Sequence, residues 1–142
     1  MEKILLPVDD SEESWRAVHY AVEIASNTGA SLELVHILPS DLPVVSDVFC
    51  PNLDEIEKMW EEHGRDLLDK MIGTRHDHVQ VTSRLEKGET SQTILELARR
   101  GRYNLIVMGT KGLSWLKRAI YGYSSICSEV VEHAPCPVLV VH

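Results

Sequence analysis

Positive charge is scarce in this chain. Its 142 residues carry 14 Lys and Arg against 22 Asp and Glu, a formal net charge of -8. So acidic a chain is repelled by nucleic acid and by anionic membrane surfaces unless its few cations cluster, and neither is expected as a partner. Long apolar runs are missing as well. No segment approaches the roughly 20 apolar residues of a membrane span. The N-terminus passes from Met1-Glu2-Lys3 straight into the short run Ile4-Leu5-Leu6, without a small-residue cleavage site, so no signal peptide and a cytoplasmic location are expected. Cysteine is sparse: Cys50, Cys127 and Cys136 are widely spaced and form no C-x-x-C. That speaks against a zinc knuckle or a thioredoxin-type pair and for free thiols in a reducing compartment. His19, His63, His76 and His78 are scattered with no H-E-x-x-H spacing, and no metal is expected. His36, between Val35 and Ile37 in a strand pattern, reads as a structural histidine.

What is present is ordinary globular composition, 44% hydrophobic and 25% charged, and enough of it for one domain spanning 1–142. Lys3 to Val8 reads as a strand buried on both faces. Asp10 and Glu13 stand at capping-box spacing ahead of a helix marked by Trp15, Val18, Val22 and Ala25 and closed near Gly29. A second strand runs from Ser31 to Leu38. The stretch 39–53 is irregular but apolar, with Val44, Val45, Val48 and Phe49 in need of cover. Asn52 and Glu55 open a second helix that ends near Gly73. A third strand is expected around His78 to Leu85, then a helix capped by Thr90 and closed by Arg99-Arg100-Gly101. Asn104 to Met108 is a fourth strand. A last helix carries Ile126, Cys127, Val130, Val131 and Ala134, and Val138 to Val141 is the final strand. Strands alternating with helices of this length predict an α/β fold, a doubly wound five-stranded parallel sheet with helices on both faces and order 3-2-1-4-5.

In such a sheet ligands bind outside the carboxyl ends of the strands, where the order reverses. That directs attention to the turns after strands one and four. The first, Pro7-Val8-Asp9-Asp10-Ser11, has two carboxylates and no glycine, which disfavours a dinucleotide bound through G-x-G-x-x-G. An aspartate there can accept from ribose hydroxyls or an exocyclic amine. Asp10 or Ser11 is expected to cap the helix. The second turn, from Gly109 to Ser125, offers Gly109, Gly112 and Gly122, the cations Lys111, Lys117 and Arg118, and hydroxyls ahead of a helix start. Glycines let backbone N–H groups close on an oxyanion, and a helix N-terminus favours negative charge. It is not a Walker A loop.

Gly109-x-x-Gly112, nine residues, then Gly122 resembles the nucleotide loop of the universal stress protein family. The opening Ile4-Leu5-Leu6-Pro7-Val8-Asp9-Asp10-Ser11, the fourth strand Leu105-Ile106-Val107-Met108-Gly109 and the terminal His133-Ala134-Pro135-Cys136-Pro137-Val138-Leu139-Val140-Val141 resemble it too. The resemblance implies a Rossmann-like fold of the adenine nucleotide alpha hydrolase type, a homodimer and, in one branch, bound ATP, with or without Mg2+. Carried onto this sequence, it implies that Asp9 meets the ribose or adenine region, that Ile37 helps form the adenine pocket with Pro7 and Val8 nearby, and that Met108, Gly109, Lys111 and Gly112 line the nucleotide. Gly122, Tyr123, Ser124 and Ser125 would hold the phosphates. The ATP-binding branch has Ser or Thr directly after the third glycine; here Tyr123 stands there, while Ser125 keeps the second hydroxyl position.

The sequence therefore leads to a cytosolic, stress-responsive, adenine-nucleotide-binding homodimer, with a nucleotide-free interaction module, its phosphate site filled by Tyr123, as the alternative. An enzyme is not expected. No catalytic base or arginine finger for phosphoryl transfer is evident, the H-I-G-H signature of adenylate-forming relatives is absent, and Cys127 and His133, six apart on one helix, do not face each other. The terminal run Pro137, Val138, Leu139, Val140 and Val141 is short and apolar, an edge strand suited to pairing with a second copy.

Overall fold

The computed structural model describes residues 1–40, 53–73, 78–110 and 126–142. Among them, β1 (Lys3–Pro7), α1 (Glu12–Thr28), β2 (Ser31–Pro39), α2 (Leu53–Gly73), β3 (Val81–Gly88), α3 (Thr90–Gly101), β4 (Leu105–Gly109), α4 (Ile126–His133) and β5 (Val138–Val141) alternate along the chain. All ladders are parallel and the sheet order is β3-β2-β1-β4-β5, as the alternation predicts. The chain steps from β1 to β3 in one direction, returns past β1, and continues to β5 in the other. The helices follow that reversal. α1 and α2 pack on one face through Ala17, Val18, Ala21, Leu67, Leu68 and Met71. α3 and α4 pack on the other through Ile94, Leu95, Ala98 and Val130. Central strands must then be apolar on both sides: Ile4 and Leu6 enter the first layer, Leu5 the second, and all three have no exposed surface.

The edges differ. β3 sends Val81 and Leu85 toward the α1/α2 layer, while Thr82, Ser83 and Arg84 are exposed. It also begins later than the alternation suggests and runs through Gly88. His78 adopts φ 83, a left-handed conformation incompatible with a strand, so ladder pairing starts only at Val81. Of the two candidate caps of α1, Ser11 is the one used, its hydroxyl accepting from Ser14 N at 3.1 Å. Glu89, not Thr90, caps α3, accepting from Ser91 N and Gln92 N. Gly29 ends α1 as expected, at φ 76 with its N–H on Ala25 O at 2.8 Å. Among the described residues no helix is long and apolar enough to cross a membrane.

Candidate functional site

The reversal of strand order leaves a crevice, and the ladders show where it opens. β1 pairs with β2 from Lys3↔Ser31 through Pro7↔Val35. With β4 it pairs only at Ile4↔Leu105 and Leu5↔Ile106. Lys3 O accepts from Asn104 N on the β4 side, while Val8 N donates to Val35 O on the β2 side at 2.9 Å. Backbone groups alternate sides along a strand, so Lys3, Leu5 and Pro7 face β4. Pro7 has no N–H to donate, and the β1–β4 ladder stops before it. β4 continues with β5 instead, through Gly109↔Val141 and Thr110 N on Val141 O at 3.0 Å. The two central strands thus part at their carboxyl ends.

At that parting the turn after β1 folds onto the start of α1. Asp9 Oδ1 accepts from Ser11 N at 2.9 Å and from Ser14 Oγ at 3.0 Å. Asp9 N donates to Ser14 Oγ at 2.9 Å. Ser14 is 3% exposed. Asp9 Oδ2 has no protein partner among the described residues. The other wall is pressed against the same turn: a Cβ built on Gly109 would lie 2.8 Å from Glu13 Cβ and 3.1 Å from Ser14 N. Asp9, Ser14 and Gly109 therefore meet at one point. Ser14 escapes a reading of the apolar pattern. Its only sequence signal is the D-x-S-x-x-S spacing of Asp9, Ser11 and Ser14, which puts one hydroxyl at the cap and one at the third helical residue.

The remaining expected residues distribute as follows. Pro7 is half-buried at the crevice. The Val8 side chain is buried in the α1/α2 layer, and its carbonyl accepts from His36 Nδ1 at 2.8 Å, which fixes the proton on that nitrogen. His36 is thus the structural histidine its surroundings suggest. Gly64 of α2 makes room for its ring, since a Cβ there would lie 2.7 Å from His36 Cδ2. Ile37 and Met108 sit at the carboxyl ends of β2 and β4 in one apolar cluster, 8% and 5% exposed. Thr110 Oγ1, one residue beyond Gly109, is buried with no hydrogen-bond partner among the described residues. Leaving a hydroxyl so costs about 1–3 kcal/mol. Lys111, Gly112, Gly122, Tyr123, Ser124 and Ser125 lie outside the described residues, as do Lys117, Arg118 and most of the apolar stretch 39–53.

Chemistry elsewhere is accounted for by structure. A groove of about 380 Å³ between β3 and α3 includes Lys3, Glu33, Arg84 and Tyr103. Arg84 pairs with Glu33 at 2.9 Å, the Tyr103 hydroxyl donates to Glu33, and Lys3 Nζ stands 4.5 Å over the Tyr103 ring. Burial, and then the Glu33 carboxylate, hold the Tyr103 phenol well above its ordinary range. Cys127 and Cys136 are free, and burial raises both thiols, the opposite of what a nucleophile needs. His133 Nδ1 lies 3.1 Å from Glu129 O on its own helix. Among the described residues no cluster of His, Cys, Asp and Glu is arranged to hold a metal ion. At the far edge Val138, Leu139 and Val140 are half-buried and Val141 is buried, with β4 on one side of β5 and no strand on the other among the described residues.

A model of the universal stress protein family matches residues 1–142. A universal stress protein of Methanocaldococcus jannaschii is 30% identical over 141 residues, which are 99% of this chain and 81% of that protein. A putative universal stress protein of Staphylococcus haemolyticus is 34% identical over 143 residues, 99% of this chain and 84% of its own. Among solved structures, universal stress protein UspA from Lactobacillus plantarum is similar with a TM-score of 0.71 at 27% identity, covering 99% of this chain and 97% of that one. Two others share the fold with a TM-score of 0.68 at 20% identity and hold ligands. One, a universal stress protein family protein from Arabidopsis thaliana, has AMP bound, with 99% of this chain and 91% of that one covered. The other, from Archaeoglobus fulgidus, is a complex with dAMP, with 100% and 98% covered.

Proposed function

The chain belongs to the universal stress protein family, and from that premise we propose that it is a homodimeric adenine-nucleotide-binding module that acts by binding rather than by turnover. The observation that carries this reading is the crevice where β1 and β4 part, with the Asp9 carboxylate fixed at its edge. A carboxylate is acceptor-only, so Asp9 suits the donors of a nucleoside, its ribose hydroxyls or the adenine amine, and not a phosphate. The apolar pair Ile37 and Met108 at the same strand ends suits the base. The Gly109-x-x-Gly112 loop, Gly122 and the hydroxyls Ser124 and Ser125 ahead of α4 suit the phosphates. The AMP and dAMP of the two structural neighbours support an adenine nucleotide as the ligand class. ATP, with or without Mg2+, is the form proposed.

Stress-responsive signalling in the cytosol would then run through the nucleotide state of the dimer. The outer edge of β5, unpaired among the described residues, supports pairing with a second copy, strand against strand. The sequence offers no evident catalytic base or arginine finger for phosphoryl transfer, and the role proposed is binding, with slow hydrolysis at most. Isothermal titration with ATP and with AMP, with and without Mg2+, tests the reading, together with mass spectrometry of nucleotide released from the purified protein. Saturable heat or co-purified nucleotide is expected. Neither, under any of these conditions, would overturn it and leave the nucleotide-free interaction module. Tyr123 is the residue that favours that alternative, and Tyr123→Ser regaining ATP binding would establish it.

A further inference from the structure

Ser14 is the buried hydroxyl on which both walls of the crevice converge. Its Oγ accepts from Asp9 N at 2.9 Å, so its single proton is free for Asp9 Oδ1 at 3.0 Å. Ser11 N supplies the second donor to Oδ1, at 2.9 Å. One carboxylate oxygen is thereby saturated from within the protein, and Oδ2 is left as the acceptor for a ligand. Ser14 is 3% exposed, so water does not compete for this geometry. From the β4 side, Gly109 approaches so closely that a Cβ would stand 3.1 Å from Ser14 N.

We infer that Ser14 is a positioning residue for nucleotide recognition: it holds the Asp9 carboxylate with Oδ2 turned over to the ribose hydroxyls of the ligand. The inference rests on the nucleotide reading above. Ser14 itself touches no ligand; its effect is exerted through Asp9. Ser14→Ala removes both of its bonds with Asp9 and leaves the carboxylate held by Ser11 N alone. Losing one well-placed hydrogen bond to a charged group is expected to weaken ATP binding about tenfold.

The test is a cycle of Ser14→Ala and Asp9→Ala, singly and together, with Ser14→Thr as the hydroxyl-retaining variant. Affinities are measured for ATP and for 2′,3′-dideoxy-ATP. Ser14→Ala is expected to lose about tenfold on ATP and little on the dideoxy nucleotide, so that the preference for a ribose diol collapses. In the Asp9→Ala background, Ser14→Ala is expected to change neither affinity, and Ser14→Thr is expected to keep the preference. A Ser14→Ala variant that loses equally on both nucleotides, or loses as much without Asp9 as with it, has a merely structural serine and overturns the inference. Wild-type protein that binds ATP while Ser14→Ala binds it equally well overturns the positioning role alone. Wild-type protein that binds neither nucleotide overturns the nucleotide reading, and the role of Ser14 falls with it.

Discussion

Gly109→Ala isolates the close approach between β4 and α1. A Cβ at this position would stand 2.8 Å from Glu13 Cβ, 3.0 Å from Glu13 C and 3.1 Å from Ser14 N. Two of those neighbours are backbone atoms in the first turn of α1, so the clash cannot be relieved by turning a side chain. Either α1 shifts outward or the end of β4 shifts away from it. Overpacking of this kind costs about 1–3 kcal/mol. Restricting the unfolded chain at a glycine returns about 0.4–1 kcal/mol. The net expectation is a loss of about 1–2 kcal/mol. With a urea m-value of about 2 kcal/mol/M, the unfolding midpoint falls by about 0.5–1 M at unchanged m. Two other glycines calibrate the result. Gly73 has nothing within 4 Å of its Cβ position and no positive φ, so Gly73→Ala is expected to be neutral or stabilising. Gly29 is equally open but sits at φ 76, so Gly29→Ala is expected to cost about 1 kcal/mol from backbone strain alone. A Gly109→Ala protein as stable as the parent, or no worse than Gly73→Ala, would refute the close approach and with it the clamping of both walls onto Ser14.

Ser11→Ala removes the N-cap of α1 and one neighbour of the Asp9 turn; urea unfolding is expected to show a loss of about 1 kcal/mol. The raised Tyr103 phenol has a signed consequence. Above the ordinary tyrosine range near pH 10 the unfolded chain ionises this residue and the folded chain does not. Folding then binds the extra proton, so stability is expected to fall as pH rises past 10. Tyr103→Phe is expected to flatten that decline, read by urea midpoints between pH 9 and 11, and an unchanged slope would count against Tyr103 as its source. At β5, Thr110 N and Ile106 N bond Val141 O and Pro137 O, so Val140 faces the outer edge. Val140→Pro therefore removes an outward N–H while sparing the β4 ladder. On the homodimer reading, sedimentation velocity is expected to show a dimer for the parent and a monomer for the variant, and a variant that remains dimeric would exclude this edge as the interface.

The order of elements was legible because the two-sided burial of β1 and β4 writes itself as the unbroken runs Ile4-Leu5-Leu6 and Leu105-Ile106-Val107. Reversal of the strand order, and hence the location of the crevice, followed from that alternation. The local details did not. Asp10-x-x-Glu13 and Ser11-x-x-Ser14 both have cap spacing, one residue out of step. What favours the second is contact outside the cap pattern itself: Asp9 N donates to Ser14 Oγ and Ser14 Oγ donates to Asp9 Oδ1. His78 misled for a related reason, since Val79 and Val81 alternate as in a strand while the backbone at 78 turns through a positive φ. Ser14 left no trace in the apolar stripe of Ala17, Val18 and Ala21 because its burial serves a polar contact instead of packing.

The same contacts bear on how an acidic chain can hold an anionic ligand. Helix α1 begins at the crevice, and a helix N-terminus ordinarily attracts phosphate. Here Ser14 N already donates to Ser11 Oγ, and Ser11 N at the cap donates to Asp9 Oδ1. Asp9 and Asp10 add negative charge at that mouth. Like charges about 4 Å apart repel by about 4 kcal/mol at an effective dielectric constant near 20. A phosphate placed against β1 would meet that repulsion, whereas a ribose or base meets only acceptors. After β4 the sequence supplies Lys111, Lys117 and Arg118, and the hydroxyls of Ser124 and Ser125 come directly ahead of α4 in the chain. On the nucleotide reading, charge alone therefore sets the ligand's direction across the switch point, nucleoside toward β1 and phosphates toward α4. The net charge of -8 is then no bar to binding, since the carboxylates of Asp9 and Asp10 and the cations that follow β4 act locally. Raising the salt concentration should weaken ATP more than adenosine, because screening reaches the phosphate end and leaves the Asp9 hydrogen bonds nearly untouched. Equal salt dependence for the two ligands would place the phosphates elsewhere.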